Sequence, residues 1–494
     1  MLRRRRDPPL SYSERLSAVD ASFLEIEDQG THMHVAVVLI FDAAPLTLEN
    51  GGLDIERVRT FIASRLHRIP RYRERLTRIP VDGQPAWVED ENFNLHYHVR
   101  HTSLPQPGDV RLLKRLAGRI MSQQLDRGKP LWEMWIVEGL EGGRFAVITK
   151  VHHCMVDGIA GVDVLMLLMR RSPDASIEEP PAWFPRPRPS PGVLLAEEAV
   201  RRVRRPLNLA RRATKALREP SSAVASVWES VSAVGEALDA GMRSAPNTPL
   251  NPPHIGPHRR FDWIRFDLDA VKEVRSRLGG TINDVVLATV AGAVGRFLRG
   301  RGVGTARLDF RAMVPVSTRV AAERGRFGNR VAMLLARLPI NEPDPRERLR
   351  RVSETTAGLK HSKQVLGAEL IEEIGDWLGT AIVTGSVRLA ARIRAYNMVV
   401  TNVPGPRVPL YLLGAPLLET YPMVPLFSNQ ALGIALFSYH GGLYWGFNAD
   451  WDRVPDLHEL VEMLVLEFDE LRKAADAESS EQATAAARGV VSAG

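Results

Sequence analysis

Two clusters of prolines divide this chain of 494 residues into two parts. Proline lacks a backbone N–H and fixes its φ angle, so closely spaced prolines cannot continue the hydrogen bonding of a helix or a central strand. A chain of this length is also too long for one hydrophobic core. The sequence therefore predicts two large domains, residues 1–175 and 258–473, joined by a crossover linker of residues 176–257. The prolines are Pro180, Pro181, Pro185, Pro187, Pro189 and Pro191, then Pro246, Pro249, Pro252, Pro253 and Pro257.

Both parts mix strand-like and helix-like patterns, which predicts an α/β fold class in the broad sense that includes α+β. Residues 55–68 carry apolar side chains at helical spacing, and Thr281 stands where it would cap a helix over residues 282–298. The tail, residues 474–494, has almost no large apolar side chains and is predicted to be disordered. The predicted strands are 34–41, 145–151, 261–268, 308–316, 331–339, 398–402, 432–439 and 443–450.

The net charge of +7 is concentrated in one stretch of the linker. Residues 201–218 contain eight arginines and lysines and no acidic residue, so the rest of the chain is nearly neutral. Neither an aromatic platform nor a binding motif accompanies this charge, so we do not predict nucleic-acid binding. The basic residues alternate with apolar ones, which fits a helix on an anionic lipid surface, and a solvated helix face fits as well. The sequence leaves these two interpretations open.

The composition is that of an ordinary globular protein, with 45% hydrophobic and 25% charged residues. Cys154 is the single cysteine, which excludes an internal disulfide framework and a Cys-rich zinc site and is typical of a reducing compartment. No apolar stretch approaches the roughly 18 residues of a membrane span. The basic residues 3–6 are followed by aspartate and prolines rather than by the apolar core of an export signal. We therefore expect a cytoplasmic protein.

The strongest chemical signal is the sequence KVHHCMVDG over residues 150–158, at a predicted loop between a strand and a helix. Adjacent side chains on extended backbone point to opposite sides, so only one of His152 and His153 can face a given cavity. An imidazole with an ordinary pKa of about 6.5 can accept a proton near neutral pH, as a general base must. A metal site, a structural histidine pair and Cys154 as a nucleophile are the other interpretations. The lack of a third clustered histidine weighs against a metal, and the divergence of neighbouring side chains weighs against a Cys154–His153 pair.

The segment HHCMVDG resembles the HHxxxDG signature of acyl-CoA-dependent acyltransferases and of peptide-synthetase condensation domains, which share chloramphenicol-acetyltransferase-like folds. Five further blocks resemble, in order, those of the bacterial wax ester synthase/acyl-CoA:diacylglycerol acyltransferase family. With the histidine motif they extend over most of both predicted domains. The blocks are LSAVDASFL (16–24), PLW (130–132), ND (283–284), RAMVPVSTR (311–319) and NVPGP (402–406).

This resemblance implies a fold and a reaction. The fold would consist of two chloramphenicol-acetyltransferase-like domains with an active-site tunnel between them. The reaction would move a long-chain fatty acyl group from acyl-CoA to a lipid alcohol, with diacylglycerol favoured and a long-chain alcohol next. Acyl-CoA would be a substrate, and no cofactor or metal is implied. The protein would work at a peripheral membrane or lipid-droplet surface.

The resemblance also assigns roles to residues of the motif. His153 would take the proton of the hydroxyl group while its oxygen attacks the thioester directly, without an acyl-enzyme, and His152 would complete the catalytic pair. Asp157 would be structural and paired with an arginine, for which Arg311 is a candidate.

Outside the histidine pair, the substrate-binding candidates are Gly158, Asn283, Asp284, Pro130, Leu131 and Trp132. Gly158 would keep the channel open, and Asn283 and Asp284 would line the opposite side of the cavity from the start of a helix. For these two residues a helix cap is the alternative, and Trp132 is a channel-wall or core aromatic rather than a catalytic group. Residues 402–406 are expected to form a rigid loop at the end of a strand.

Two other functions remain open at this point. One is an acyltransferase or condensation enzyme that acts on a carrier-protein thioester, against which the PLW, ND and NVPGP blocks argue. The other is a catalytically silent membrane or lipid-droplet scaffold that keeps the same fold. An intact HHxxxDG motif argues against a silent protein.

Overall fold

The computed structural model describes residues 13–80, 83–155, 168–200, 244–317, 331–361 and 394–491. The strands are β1 (Glu14–Arg15), β2 (His34–Asp42), β3 (Glu74–Arg78), β4 (Pro85–Glu89), β5 (Val99–Ser103), β6 (Trp132–Leu140), β7 (Arg144–His152), β8 (Arg259–Asp267), β9 (Arg311–Ser317), β10 (Val331–Arg337), β11 (Met398–Pro404), β12 (Tyr411–Leu412), β13 (Ala415–Met423), β14 (Leu432–Tyr439) and β15 (Gly442–Asp450). The helices are α1 (Ala18–Ile26), α2 (Ile55–Arg65), α3 (Leu95–His98), α4 (Val110–Met121), α5 (residues 191–200), α6 (Leu268–Leu278), α7 (Ile282–Gly300), α8 (Pro345–His361) and α9 (Leu457–Val491).

The first six-stranded sheet has the order β12-β13-β2-β7-β6-β5. Its centre is the antiparallel pair of β2 and β7, whose register runs from His34 opposite His152 to Asp42 opposite Arg144. Both strands are rich in β-branched and aromatic residues, which suits a buried pleated surface. This register brings the start of β2 next to the histidine motif at the end of β7.

The second six-stranded sheet has the order β10-β9-β11-β14-β15-β8, and a small third sheet has the order β1-β4-β3. Helix α7 packs against the second sheet and is buried along almost its whole length. Two sheet-rich domains of mixed helix and strand confirm the predicted fold class.

The two domains meet where α4 lies against β8. A Cβ atom added at Gly118 of α4 would come within 2.8 Å of the Arg259 carbonyl oxygen, so this approach requires glycine. Nearby, Lys114 forms an ion pair with Asp262 of β8. The Arg259 side chain, 3% exposed, donates to the carbonyl of Gly30 in the turn before β2. The first and second domains are therefore fixed to each other close to the start of β2.

The prediction that residues 258–473 form one domain is wrong for the segment around β13. Strands β12 and β13 belong to the first sheet, where β13 pairs with β2 from Leu417 opposite Phe41 to Met423 opposite Ala36. This pairing protects the edge that β2 would otherwise expose. The partner strand lies several hundred residues away in the sequence, so local periodicity could not reveal it.

The predicted disorder of residues 474–494 is also wrong, because α9 continues to Val491. Alanine, glutamate and glutamine favour helix even without a core to pack against. In addition, Ala475 is 1% exposed, Asp476 pairs with Arg277, and Glu478 lies 3.0 Å from Arg346. Residues 492–494 are outside the described part of the chain.

Residues 402–404 of the predicted loop belong to β11, which pairs with β14 as far as Pro404 opposite Ser438. On its other side β11 pairs with β9 only at Met398 and Val399. Among the described residues no strand pairs with this edge at the end of β11, so proline is tolerated there without a backbone N–H.

Within the described ranges, no single helix is both long and apolar enough to cross a membrane. Helices α6 and α7 meet the criteria of length and composition only as a pair bent by 95°. The basic residues 201–218 lie outside the described ranges.

Candidate active site

The end of β7 and the turn after it hold the histidine pair. Strand β7 ends at His152, and His153–Met155 form a short 3₁₀ turn. The backbone N–H of His152 donates to the Leu131 carbonyl at 2.9 Å, and that of His153 donates to the Met33 carbonyl at 2.7 Å. The change from strand to turn sends the two rings into different surroundings: His152 is 1% exposed, whereas His153 is half-buried.

His153 is neutral at neutral pH. Burial, together with the neighbouring His152 ring, lowers the pKa of His153 to about 4. The ring lies against Phe23 of α1, with 4.1 Å between ring centroids. Its Nδ1 atom is buried and has no hydrogen-bond partner among the residues that the structure describes. A neutral imidazole has a lone pair on one ring nitrogen and is chemically able to take a proton from a bound hydroxyl group.

The His152 ring is held by one hydrogen bond and lies close to Glu27. Its Nδ1 accepts the backbone N–H of Cys154 at 3.2 Å. A neutral ring that accepts at Nδ1 carries its proton on Nε2, and this atom lies 3.6 Å from Glu27 Oε2. The hydrogen bond from the Cys154 amide links His152 to the turn that carries His153, and the catalytic role of His152 stays a prediction.

Glu27 is the centre of this arrangement, and sequence reasoning missed it. Its carboxylate, at the C-terminal end of α1, is 4% exposed and lies 3.3 Å from His34 Nε2. It also accepts hydrogen bonds from the Met33 amide at 3.3 Å and from Arg127 Nη2 at 2.7 Å. Burial alone would raise the pKa of Glu27, but the interactions with His152 and His34 outweigh it, so the pKa of this carboxyl is lowered. Glu27 is therefore an anion beneath the histidine pair.

The sequence contained only a weak signal for this site. His32 and His34 alternate at the start of a predicted strand, a pattern that places two imidazoles on one face. Nothing in the spacing connected them to Glu27 or to a motif more than a hundred residues later. The contact depends on the pairing of β2 with β7, which is a tertiary feature.

Burial keeps His34 neutral, and a nearby positive charge contributes. Lys150 precedes His152 by two residues on β7 and is 0% exposed. Its Nζ donates to the carbonyls of Ile120 and Gln123 at 3.0 and 2.9 Å and lies 3.5 Å from Glu133. Burial, with a contribution from the Lys150 charge, lowers the pKa of His34 to about 3. Glu27 thus interacts with neutral His34, and its charge is balanced mainly by Arg127.

Arg127 connects this buried network to solvent. Its side chain is 40% exposed and lines an open cavity of about 240 Å³ beside α1, together with Leu24, Leu76 and Arg78. The histidines that contact Glu27 are buried, whereas Arg127, on the other side of the carboxylate, is exposed to water.

Cys154 is a packing residue in this structure. It is 4% exposed and packs with Leu24, Trp87, Leu125 and Leu131. Burial raises the pKa of its thiol well above the ordinary value, so the thiolate that a nucleophile needs is scarce at neutral pH.

We expect Cys154→Ala to keep most of the wild-type activity, because alanine removes little from the packed cluster. Rapid mixing of the wild-type protein with palmitoyl-CoA and no acceptor should release no burst of coenzyme A, and mass spectrometry should find no acyl group on the protein. An acylated Cys154, together with an inactive Cys154→Ala variant, would overturn this assignment.

Trp132 is buried in the core, and its predicted contact with substrate stays a prediction. Its indole N–H donates to the Tyr72 carbonyl at 2.8 Å, and its ring stacks on His98 with 4.6 Å between centroids. Leu131 is 0% exposed and packs against Cys154, and Pro130 is buried. The PLW block therefore supports the end of β7, because the Leu131 carbonyl accepts a hydrogen bond from the His152 amide.

The structure places Asp284 in a helix cap. Thr281 Oγ1 accepts the Asp284 amide, while the Asp284 carboxylate accepts the Thr281 amide at 2.8 Å and the Thr356 hydroxyl at 2.6 Å. Asp284 is 2% exposed, and none of its described contacts reaches the histidine pair. Its negative charge also offsets the positive end of the α7 dipole. The half-buried Asn283 beside it remains a predicted substrate contact.

Asp157 and Gly158 lie in residues 156–167, outside the described ranges. Among the described residues Arg311 pairs with Asp309, with 3.0 Å between Nε and Oδ2. The pairing of Asp157 with an arginine, the channel role of Gly158 and the tunnel between the domains therefore stay predictions. In the described ranges no group of His, Cys, Asp or Glu residues has the geometry to hold a metal ion.

Comparisons with known proteins agree with the resemblance noted from the sequence. Residues 16–286 match the wax ester synthase/diacylglycerol acyltransferase catalytic domain, and residues 327–472 match the WS/DGAT C-terminal domain. A putative diacylglycerol O-acyltransferase of Mycobacterium tuberculosis is 33% identical over 91% of this chain and 88% of its own length.

Two solved structures share the fold. The wax ester synthase/diacylglycerol acyltransferase of Marinobacter aquaeolei is 27% identical, with a TM-score of 0.66 over 94% of this chain and 100% of its own. The first condensation domain of the calcium-dependent antibiotic synthetase has a TM-score of 0.58 over 94% of this chain and 96% of its own, at 17% identity. At this identity the second likeness concerns the fold alone.

Proposed function

Because the chain belongs to the wax ester synthase/diacylglycerol acyltransferase family, we propose that it transfers a long-chain fatty acyl group from acyl-CoA to a lipid alcohol. Diacylglycerol is the favoured acceptor, and a long-chain alcohol is the second. The observation that carries the mechanism is the neutral, half-buried His153 at the turn after β7.

In the proposed reaction His153 removes the proton of the acceptor hydroxyl as its oxygen attacks the thioester carbonyl. The tetrahedral intermediate then collapses: the C–S bond breaks, the ester remains, and the proton passes from His153 to the departing thiolate. A thiolate is a good leaving group, since thiols ionise near a pKa of about 8.5. Alignment and deprotonation of the hydroxyl are therefore the main tasks of the protein.

The network around Glu27 supports this scheme. A general base must be held in one orientation while the substrate approaches. His152, whose Nδ1 accepts the Cys154 amide hydrogen bond, anchors the turn from which His153 projects. Asp157, as a structural residue paired with an arginine, is proposed to hold the other end of this turn.

A lipid alcohol and its ester are nearly insoluble in water, so we also propose that the protein acts on the cytoplasmic side of a membrane or at a lipid-droplet surface. The single buried cysteine fits a reducing compartment.

The decisive experiment is to incubate purified protein with palmitoyl-CoA and, in separate reactions, diolein or hexadecanol. We expect free coenzyme A and the matching ester in equal amounts, and neither without an acceptor. A palmitoyl carrier-protein thioester with an amine acceptor tests the condensation alternative. Product in that reaction alone would refute the proposal, and no product in any reaction would favour a silent scaffold.

A further inference from the structure

Helix α5 has its acidic side towards the protein and an apolar side towards solvent. Glu198 is 8% exposed and pairs with Arg15, and Glu197 accepts a hydrogen bond from the Ser13 hydroxyl at 2.9 Å. Leu194, 5% exposed, completes the buried side. A helix on a globular protein normally turns its apolar side inward, so this orientation needs an explanation.

The exposed side is apolar at helical spacing. Val193, Ala196 and Val200 stand at intervals of three and four residues and are all exposed, with Leu195 beside them. Seven residues before the helix, Phe184 is 84% exposed. Among the described residues, large exposed apolar side chains are thus concentrated in residues 184–200, which we call the apolar segment.

The positive charge that follows the apolar segment in the sequence indicates what kind of surface it would bind. In the sequence, Arg201, Arg202, Arg204 and Arg205 follow α5 directly, and the next acidic residue is Glu219. Apolar side chains beside a run of arginines match a surface that combines hydrocarbon with negative charge. A purely apolar protein partner would gain nothing from the arginines.

We propose that the apolar segment is the docking element for an anionic lipid surface, with Phe184, Val193 and Val200 entering the headgroup region. The contacts of Glu197 and Glu198 with the N-terminal residues fix α5 to the first domain, so the whole protein is held at the membrane. The inference rests on the proposed membrane location but not on acyl transfer, and it is therefore tested without turnover.

The first test is flotation of the purified protein with vesicles of phosphatidylcholine alone or with about a third phosphatidylglycerol. We expect the wild-type protein to float with the anionic vesicles and to be released by high salt. Val193→Asp combined with Val200→Asp should weaken binding by at least about tenfold. Val408→Asp combined with Leu466→Asp is the matched control: it adds the same charge at apolar sites that are 42% and 53% exposed elsewhere, and it should float like wild type.

The second test attaches a fluorophore to an introduced cysteine, and the buried, unreactive Cys154 should not take up the label. The emission of a polarity-sensitive fluorophore on Val193→Cys should be that of a water-exposed probe without vesicles and should shift to the blue with anionic vesicles. The emission of the same probe on Leu466→Cys should not shift. A probe at residue 193 that is already blue-shifted without vesicles would mean that residues 201–243 or a second copy cover this face. That result, or equal flotation of the Val193/Val200 and control variants, would overturn the proposal.

Discussion

Replacing His153 with alanine is expected to reduce acyl transfer by a factor of roughly 10² to 10⁴, the usual contribution of a general base. The loss should fall on kcat, because the hydroxyl group can still bind but is no longer deprotonated. The melting temperature should change little, since His153 is half-buried and its Nδ1 makes no hydrogen bond to the described residues. Ester formation and thermal unfolding of the same preparation give both quantities.

His152→Ala is the matched comparison, because it removes the adjacent and fully buried ring. We expect a smaller loss of activity and a larger loss of stability, since the Cys154 amide and the Glu27 carboxylate would lose a partner. A His153→Ala variant with half of the wild-type turnover would refute the role of His153 as the base.

The pH profile gives a second, independent measure of His153. With a pKa of about 4 in the free protein, His153 is neutral across the physiological range. The acidic limb of kcat/KM should therefore lie well below the value of about 6.5 for an ordinary histidine. An acidic limb near 6.5 would contradict the lowered pKa of His153.

Glu27→Gln is expected to have the second largest effect. The substitution keeps the size of the side chain but removes the charge that Arg127 balances, and it places a donor amide where the structure has acceptor oxygens. We expect a loss of activity on the order of tenfold to a hundredfold, because the turn that carries His153 would shift. Stability should fall by about 1.5 to 3 kcal/mol, the range for hydrogen bonds to a charged group.

The effect of Glu27→Gln on stability should depend on pH in a defined direction. The pKa of Glu27 is lower in the folded protein than its ordinary value of 4.5. The carboxylate therefore stabilises the fold fully above about pH 4.5, and this contribution is lost as the pH falls through the folded-state pKa. The difference in unfolding free energy between wild type and Glu27→Gln should be largest near neutral pH and shrink in acid.

Glu25→Gln provides the control, because it lies two residues earlier on the same helix and its side chain is 29% exposed, 4.0 Å from Arg78. We expect it to keep near wild-type kcat and stability. A positioning role for Glu27 also predicts that kcat falls more than KM rises. If Glu27→Gln loses stability but keeps kcat, Glu27 is a structural residue only.

The sequence by itself predicted local helices and strands and located the histidine motif. Strand β14 and the start of α7 at its Thr281 cap lie where periodicity and capping chemistry predicted them, because both signals depend on neighbouring residues. The histidine motif at the end of β7 was found because its residues are contiguous. Its assignment to a family came from ordered blocks and was confirmed by the comparisons.

Only the tertiary structure decided which residues surround His153. Glu27 and His34 reach the motif through the pairing of β2 with β7, and β13 enters the first sheet from the distant second half of the chain. Trp132, for which the sequence left a channel-wall or a core position open, packs in the core. Local sequence patterns indicate which face of a helix or strand is buried. They do not indicate which distant helix or strand packs against that face. Long-range strand pairing therefore determined the network beneath the turn, and burial beside His152 lowers the pKa of His153.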